Sequence, residues 1–207
     1  MRTKIVLLFL LLPVVMHGNT IDSFFRNMPG RLLPGFTEQH RERLLATQDA
    51  TITYVLGEIV KLQHTDTFLE LKTSSVGTMQ IKLLPISWGR VVICVVRTVC
   101  GSGCHSQIQF FDRNWRELDA RRLMPEISPS IFIDPLQKEA GNDKYALSLS
   151  GISPISAQLN GHDNDIVLTF NYKSHLSDEM IMELSPFLRT DTVVLQWRNR
   201  RFQFLNI

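Results

Sequence analysis

Apolar positions along this 207-residue chain follow three rhythms. At the start, Ile5 to Met16 forms an apolar run of twelve residues behind Arg2 and Lys4. A helix needs ~20 residues to cross a bilayer core, so the run is too short to span one. It has the size and the basic flank of a signal-peptide core, and residues 1–18 read as the segment removed. The next rhythm is helical. "IDSFFRNM" predicts a short helix from Ile21 towards Met28, closed by Pro29-Gly30 and followed by an irregular stretch through Pro34-Gly35. "TEQHRERLLATQ" predicts a second helix over 38–47. Thr37 can cap it, Glu38 sits where the helix dipole favours an acid, and Leu44 and Leu45 give a small apolar face.

From residue 50 the rhythm is that of strands. The chain becomes rich in Val, Ile, Thr and Phe, and Leu69 and Leu71 alternate with Phe68, Glu70 and Lys72. Turn residues recur at 64–66, 74–77, 87–89 and 101–103, which predicts about five strands with hairpin spacing. Val91 to Val99 is apolar on both faces up to Arg97 and is the best central strand. Residues 119–144 carry Pro125, Pro129 and Pro135 and read as a long loop. Two or three strands follow, then "SDEMIMEL" as a helix with Ser177 at its N-cap. A closing hairpin turns at Asn199-Arg200, with Val193, Leu195 and Trp197 on one face and no glycine in the turn. The fold class is α+β: a largely antiparallel sheet or sheets, two N-terminal helices and one helix in the C-terminal half. Residues 19–207 are expected to form one domain, or two halves, 19–120 and 145–207, joined by the Pro-rich loop.

Charge changes the picture only by exclusion. The full chain has 22 Lys+Arg and 20 Asp+Glu. Removing 1–18 takes away Arg2 and Lys4, leaving 22 − 2 = 20 cations against 20 acids. Nucleic-acid binding needs clustered surplus cation to displace counterions, so no nucleic-acid partner is expected. The run "RNRR", Arg198 to Arg201, reads as a solvated turn. No later stretch has the length of a membrane span.

The segment "MQIKLLPISWGRVVICVVRTVCGSGCHSQIQFFDRNWREL" resembles a family of secreted Bacteroidales proteins of unknown function. The upstream "RLLPGFTEQHRERLL", the late "LSDEMIMELSPFL" and the strands "VVLQW" and "RRF" fit the same family. The resemblance covers most of the chain beyond 1–18. It implies export, and it supplies no catalytic residues.

Candidate chemistry centres on "VCGSGCHS". Cys100 closes one strand and Cys104 opens the next across Gly-Ser-Gly, so a hairpin brings them to disulfide distance. In an oxidising compartment the expectation is a Cys100–Cys104 staple, with Cys94 buried as a small apolar residue. The alternative is a zinc or redox site from Cys100, Cys104 and His105, which lacks a second ligand pair. Asn160, Asp163 and Asp165 offer close oxygen ligands, but in an order that suits a hairpin loop of Asx turns better than a calcium loop. Trp88, Trp115 and Trp197 are expected to pack in the core or at an edge, with a sugar platform as the alternative. There is no G-x-S-x-G, H-E-x-x-H, P-loop or G-x-G-x-x-G, and no cofactor is expected. The reading is an exported, periplasmic or extracellular protein without catalytic activity, binding an envelope protein or glycan. The alternatives are a hydrolase using unidentified Asp or His residues, and a Cys/His metal or redox protein.

Overall fold

The structure is a computed structural model that describes residues 20–134, 136–137 and 154–204. The expected signal segment and much of the Pro-rich loop lie outside the described residues. Helix α1 (Ile21–Arg26) buries Ile21, Phe24 and Phe25. Helix α2 (Glu38–Ala46) begins at Thr37, whose hydroxyl accepts from the His40 backbone N–H at 3.3 Å. His40 Nδ1 in turn accepts from the Thr37 N–H at 3.2 Å. This is a reciprocal capping box with an imidazole in the place usually taken by Glu or Gln.

Seven strands follow in a simple antiparallel meander: β1 (Thr51–Tyr54), β2 (Gly57–His64), β3 (Phe68–Lys72), β4 (Gly77–Ser87), β5 (Arg90–Cys100), β6 (Cys104–Phe111) and β7 (Glu117–Leu118). The short outer strands β1 and β7 raise the number above the five that the turn spacing predicts. A second antiparallel sheet has the order β11-β10-β9-β8, from β8 (Ile155–Leu159), β9 (Asp165–Phe170), β10 (Thr192–Arg198) and β11 (Arg201–Phe204). Helix α3 (Asp178–Leu184) lies between β9 and β10, and the Ser177 hydroxyl accepts from the Met180 N–H at 3.4 Å. The fold is α+β, as the sequence predicts.

The centre of the first sheet, β4 and β5, is buried on both faces, which is why β5 reads as a nearly continuous apolar run. Ile81, Leu83, Ile93 and Val95 pack under α1 and α2. Leu84, Val92, Cys94 and Val96 point the other way, against Ala157, Ile166, Leu168 and Leu195 of the second sheet. The order of layers is helices, seven-stranded sheet, four-stranded sheet.

Polar groups inside the second core join the two sheets. Strand β8 is an outer strand, so one row of its backbone groups has no strand partner. Gln80 on β4 replaces that partner: its Oε1 accepts from Leu159 N–H at 2.8 Å and its Nε2 donates to Leu159 C=O at 3.2 Å. Ser106 on β6 accepts from the Ala157 N–H at 2.8 Å and is 2.6 Å from the Thr98 hydroxyl. Lys82, only 2% exposed, donates to the carbonyls of Asn160 and Gly161 at 3.1 and 3.3 Å. Burial lowers the Lys82 pKa, and the carboxylate of Asp163 opposes that shift.

Two hairpin turns fall where the sequence places them, and both are two-residue turns. Asn199 and Arg200 have φ of 51° and 67°, so the closing hairpin makes a two-residue turn of the type that needs two positive φ values, without glycine. Trp88 and Gly89, φ 51° and 70°, form the same kind of turn between β4 and β5, here with a glycine at the second position. Of the three tryptophans expected to pack, Trp115 is 4% exposed and donates to Phe24 C=O at 3.2 Å. Trp197 is half-buried and donates to Pro85 C=O at 2.6 Å. Trp88 is instead 97% exposed, because its turn carries the side chain off the end of the sheet.

The row of side chains under β8 gives a direct test. Gln80→Leu leaves the Leu159 N–H and C=O buried without partners and should lower unfolding stability in urea by about 3 kcal/mol. A loss below about 0.5 kcal/mol would mean that Gln80 does not hold the edge.

Candidate functional site

Beside the hydrogen-bonded edge the two sheets part. Strand β7 pairs only with Phe110 and Phe111, so the β6 segment from Ser106 to Ile108 has no strand outside it. The chain after β7 covers this gap with a 3-10 turn (Ala120–Arg122) and the segment through Ile127. The covering segment is tied to the second sheet at Leu123 and braced within its own turn. Phe202 N–H donates to Leu123 C=O at 2.7 Å. Asp119 caps the 3-10 turn and forms a two-point ion pair with Arg121, at 3.0 and 2.9 Å. The hydrogen bonds from Arg121 hold the Asp119 carboxyl below its usual range.

What remains is a cleft of about 830 Å3. Among the described residues its walls include Ile108, Met124, Ile127, Ile155, Ala157 and Leu168. Ser106 is a half-buried polar group in the wall, and the remaining polar side chains, His105, Arg121, Glu126 and Arg201, are all exposed at the mouth. Of these residues the sequence singles out His105, beside the cysteines, and Arg201, in the run read as a solvated turn. The walls come from two sheets and a loop far apart in the chain, and no local spacing marks them.

Cys100 and Cys104 are directly opposed across the β5–β6 turn, with Cα atoms 4.0 Å apart, and their sulfurs are bonded to each other. Neither sulfur in that bond is a thiolate that could ligate zinc. No metal-like group of His, Cys, Asp or Glu occurs among the described residues. The turn is packed from outside. A Cβ on Gly103 would meet the Ser174 hydroxyl and fall 2.7 Å from His175 Nε2. Asn171 donates to Cys104 C=O at 2.9 Å, so the turn is also tied to the second sheet. Cys94 is fully buried in the second core, and burial pushes its thiol pKa up.

The Asn160–Asp165 loop is a network of Asx turns. Asn160 Oδ1 accepts from the backbone N–H groups of His162 and Asp163 at 2.8 and 2.9 Å, and Asn160 Nδ2 donates to Asp163 at 2.7 Å. Asp163 Oδ1 accepts from Asp165 N–H at 2.9 Å. These bonds hold the Asp163 carboxyl below its usual range, with the Asn160 side chain as the main cause. Asn160 Oδ1 and Asp163 thus bond to the loop's own donors, while Asp165 accepts from Gln196 Nε2 of β10 at 3.2 Å. Lys61, a second buried lysine that the sequence does not single out, donates to Leu44 C=O at 2.7 Å in the last turn of α2. Burial lowers its pKa, opposed by Asp22 and Asp49.

Residues 13–202 match the family described as a protein of unknown function, DUF3256. The chain belongs to this family. The fold is also that of a solved domain of an uncharacterized protein from Porphyromonas gingivalis, a member of the Bacteroidales. That domain is 22% identical, with a TM-score of 0.79 over 92% of this chain and 100% of the domain. None of the curated proteins compared with the chain matches it. No helix among the described residues is long and apolar enough to cross a membrane.

Thiol labelling checks the cysteine arrangement. The folded, unreduced protein should take up no alkylating label, one label after denaturation and three after denaturation with reduction. Two or three labels without reductant would remove the disulfide. Acid titration checks the loop. A depressed carboxyl stabilises the fold above its unfolded pKa, and that contribution is lost as pH falls through the folded value. Asp163→Asn should therefore lose less stability than the wild type between neutral and strongly acid pH, measured by thermal melts. Parallel curves would show that Asp163 plays no part.

Proposed function

We propose that this family member is an exported, non-catalytic binding protein of the bacterial cell envelope, and that the cleft between its sheets is the ligand site. The observation that carries the reading is the cleft itself. Its volume of about 830 Å3 falls in the range of small-molecule sites, about 300–1,000 Å3. Its walls are aliphatic, and its charged groups are restricted to the mouth. That distribution suits a ligand with an apolar body and a polar end. It suits a bare glycan poorly, because buried hydroxyls would need partners along the walls.

Two features support export. The Cys100–Cys104 disulfide belongs to oxidising compartments. The apolar run behind Arg2 and Lys4 has the form of a signal segment. The groups with clearly shifted pKa also have structural explanations. Lys61, Lys82, Cys94 and Asp163 are bonded or packed away from the cleft, and the Asp119–Arg121 pair fixes the covering turn.

Titration with a fluorescent apolar anion, such as an anilinonaphthalene sulfonate, tests the site. The folded protein should bind it saturably with one-to-one stoichiometry. Ala157→Met, which places extra atoms in the cleft, should weaken binding about tenfold, equivalent to about 1.4 kcal/mol, with the circular dichroism spectrum unchanged. Non-saturating binding, or an unchanged affinity in a folded Ala157→Met variant, would assign the ligand site elsewhere.

A further inference from the structure

The end of the first sheet that carries the β4–β5 turn combines a fully exposed aromatic ring with exposed cations. Trp88 stands at its tip, 97% exposed, on a backbone with φ of 51°. A bulky residue in the left-handed region is strained, and asparagine or glycine would sit there more easily. A large apolar ring is thus held in water on an unfavourable backbone, with no packing inside the protein to account for it.

Exposed arginines stand on three turns at this end of the molecule. Arg90 closes the β4–β5 turn opposite Ser87 and donates to the Ser87 hydroxyl at 3.3 Å. Arg113 lies in the β6–β7 turn, beyond the Ile93–Phe111 pair that places this turn beside the start of β5. Arg198 and Arg200 belong to the β10–β11 turn of the other sheet. That turn is joined to this end by the bond from the Trp197 indole to Pro85 C=O, 2.6 Å. None of these four arginines forms an ion pair among the described residues. Asp112 is the acid nearest in the chain, and its carboxylate accepts from the backbone N–H groups of Asn114 and Arg116, at 2.8 and 2.9 Å.

We propose that this end of the molecule docks on an anionic phospholipid surface, with the Trp88 indole inserted at headgroup depth and the arginines against lipid phosphates. The shape favours lipid over a rigid partner. A protein or polysaccharide would need a socket matched to one protruding ring, whereas a fluid interface closes around it. Indoles prefer that interface, apolar on one side and wet on the other. Cations near an anionic leaflet add an attraction that salt screens. The proposal is independent of the cleft.

Flotation with phosphatidylglycerol–phosphatidylethanolamine vesicles tests it, together with tryptophan emission. The protein should float with these vesicles, its emission should shift to the blue, and about 1 M salt, where the Debye length is ~3 Å, should release it. Trp88→Asn should weaken partitioning about tenfold while melting at the same temperature as the wild type or higher, because asparagine tolerates the backbone better. Arg198→Gln with Arg200→Gln should weaken binding to anionic vesicles and leave the melt unchanged. Any one of three results overturns the proposal: no flotation of the wild type, equal flotation with neutral phosphatidylcholine vesicles, or full binding by Trp88→Asn. Salt-sensitive binding to a soluble polyanionic glycan without vesicle binding would overturn it in favour of a glycan.

Discussion

The outer edge of β8 meets a sheet face, and side chains replace the missing strand. This contact decides how the two sheets sit. Two β-sheets can slide over one another when only apolar side chains interdigitate, because dispersion has little direction. Hydrogen bonds from Gln80, Ser106 and Lys82 have direction and fix both position and angle. Their burial raises the cost of error: a shift of β8 by one residue would strand the N–H and C=O of Leu159 and the ammonium of Lys82 away from water. A core that is otherwise aliphatic thereby gains one preferred arrangement.

The cleft follows from the same contact. Where Gln80 and Lys82 hold β8, the sheets are closed. Beyond Ser106 the first sheet runs out of strand partners, and the second sheet's Leu168 and Ile155 face a loop in place of a strand. The gap cannot collapse by moving β8, since the hydrogen bonds on its other side hold it. The disulfide turn resists as well, with Asn171 bonding Cys104 and the 3-10 turn after β9 packed on Gly103. A cavity kept open by its surroundings is preformed, and a ligand entering it meets little reorganisation cost.

Much of the architecture is legible in the chain because local rules govern it. Thr37 and Ser177 announce their helices, turn residues separate the strands of the meander, and the run at Val91–Val99 marks a strand buried on both faces. What stays hidden depends on contacts distant in sequence. Gln80 and Lys82 stand in "MQIKLLP", where alternation alone assigns them to a solvent face. Their burial depends on a second sheet more than seventy residues later, as the Gln80–Leu159 and Lys82–Asn160 bonds show with separations of 79 and 78. Trp88 fails in the opposite direction. Its side chain favours burial, but it occupies the two-residue turn between two long paired strands, and turn geometry overrides hydropathy there. The cleft walls are invisible for the first reason, since Ile108, Met124 and Leu168 meet only after the sheets have stacked.

The hydroxyl in the cleft bears on what the site can do. Ser106 is the hydroxyl-bearing side chain among the described lining residues, and a hydrolase built here would draw on it. Its oxygen already accepts the Ala157 N–H and shares a 2.6 Å bond with Thr98. To act as a nucleophile it would have to leave Ala157 unpaired in the core, at a cost of about 1–3 kcal/mol before any chemistry began. It would also need a base, and Thr98, the side chain it is bonded to, cannot take a proton at neutral pH. His105 and Glu126 line the same cleft, but the Ser106 hydroxyl is engaged with Thr98 and Ala157. The same hydrogen bonds that make Ser106 a good support for β8 make it a poor reagent. The polar group at the cleft wall is therefore part of the framework, which is in keeping with the proposal that the cavity serves to bury apolar surface.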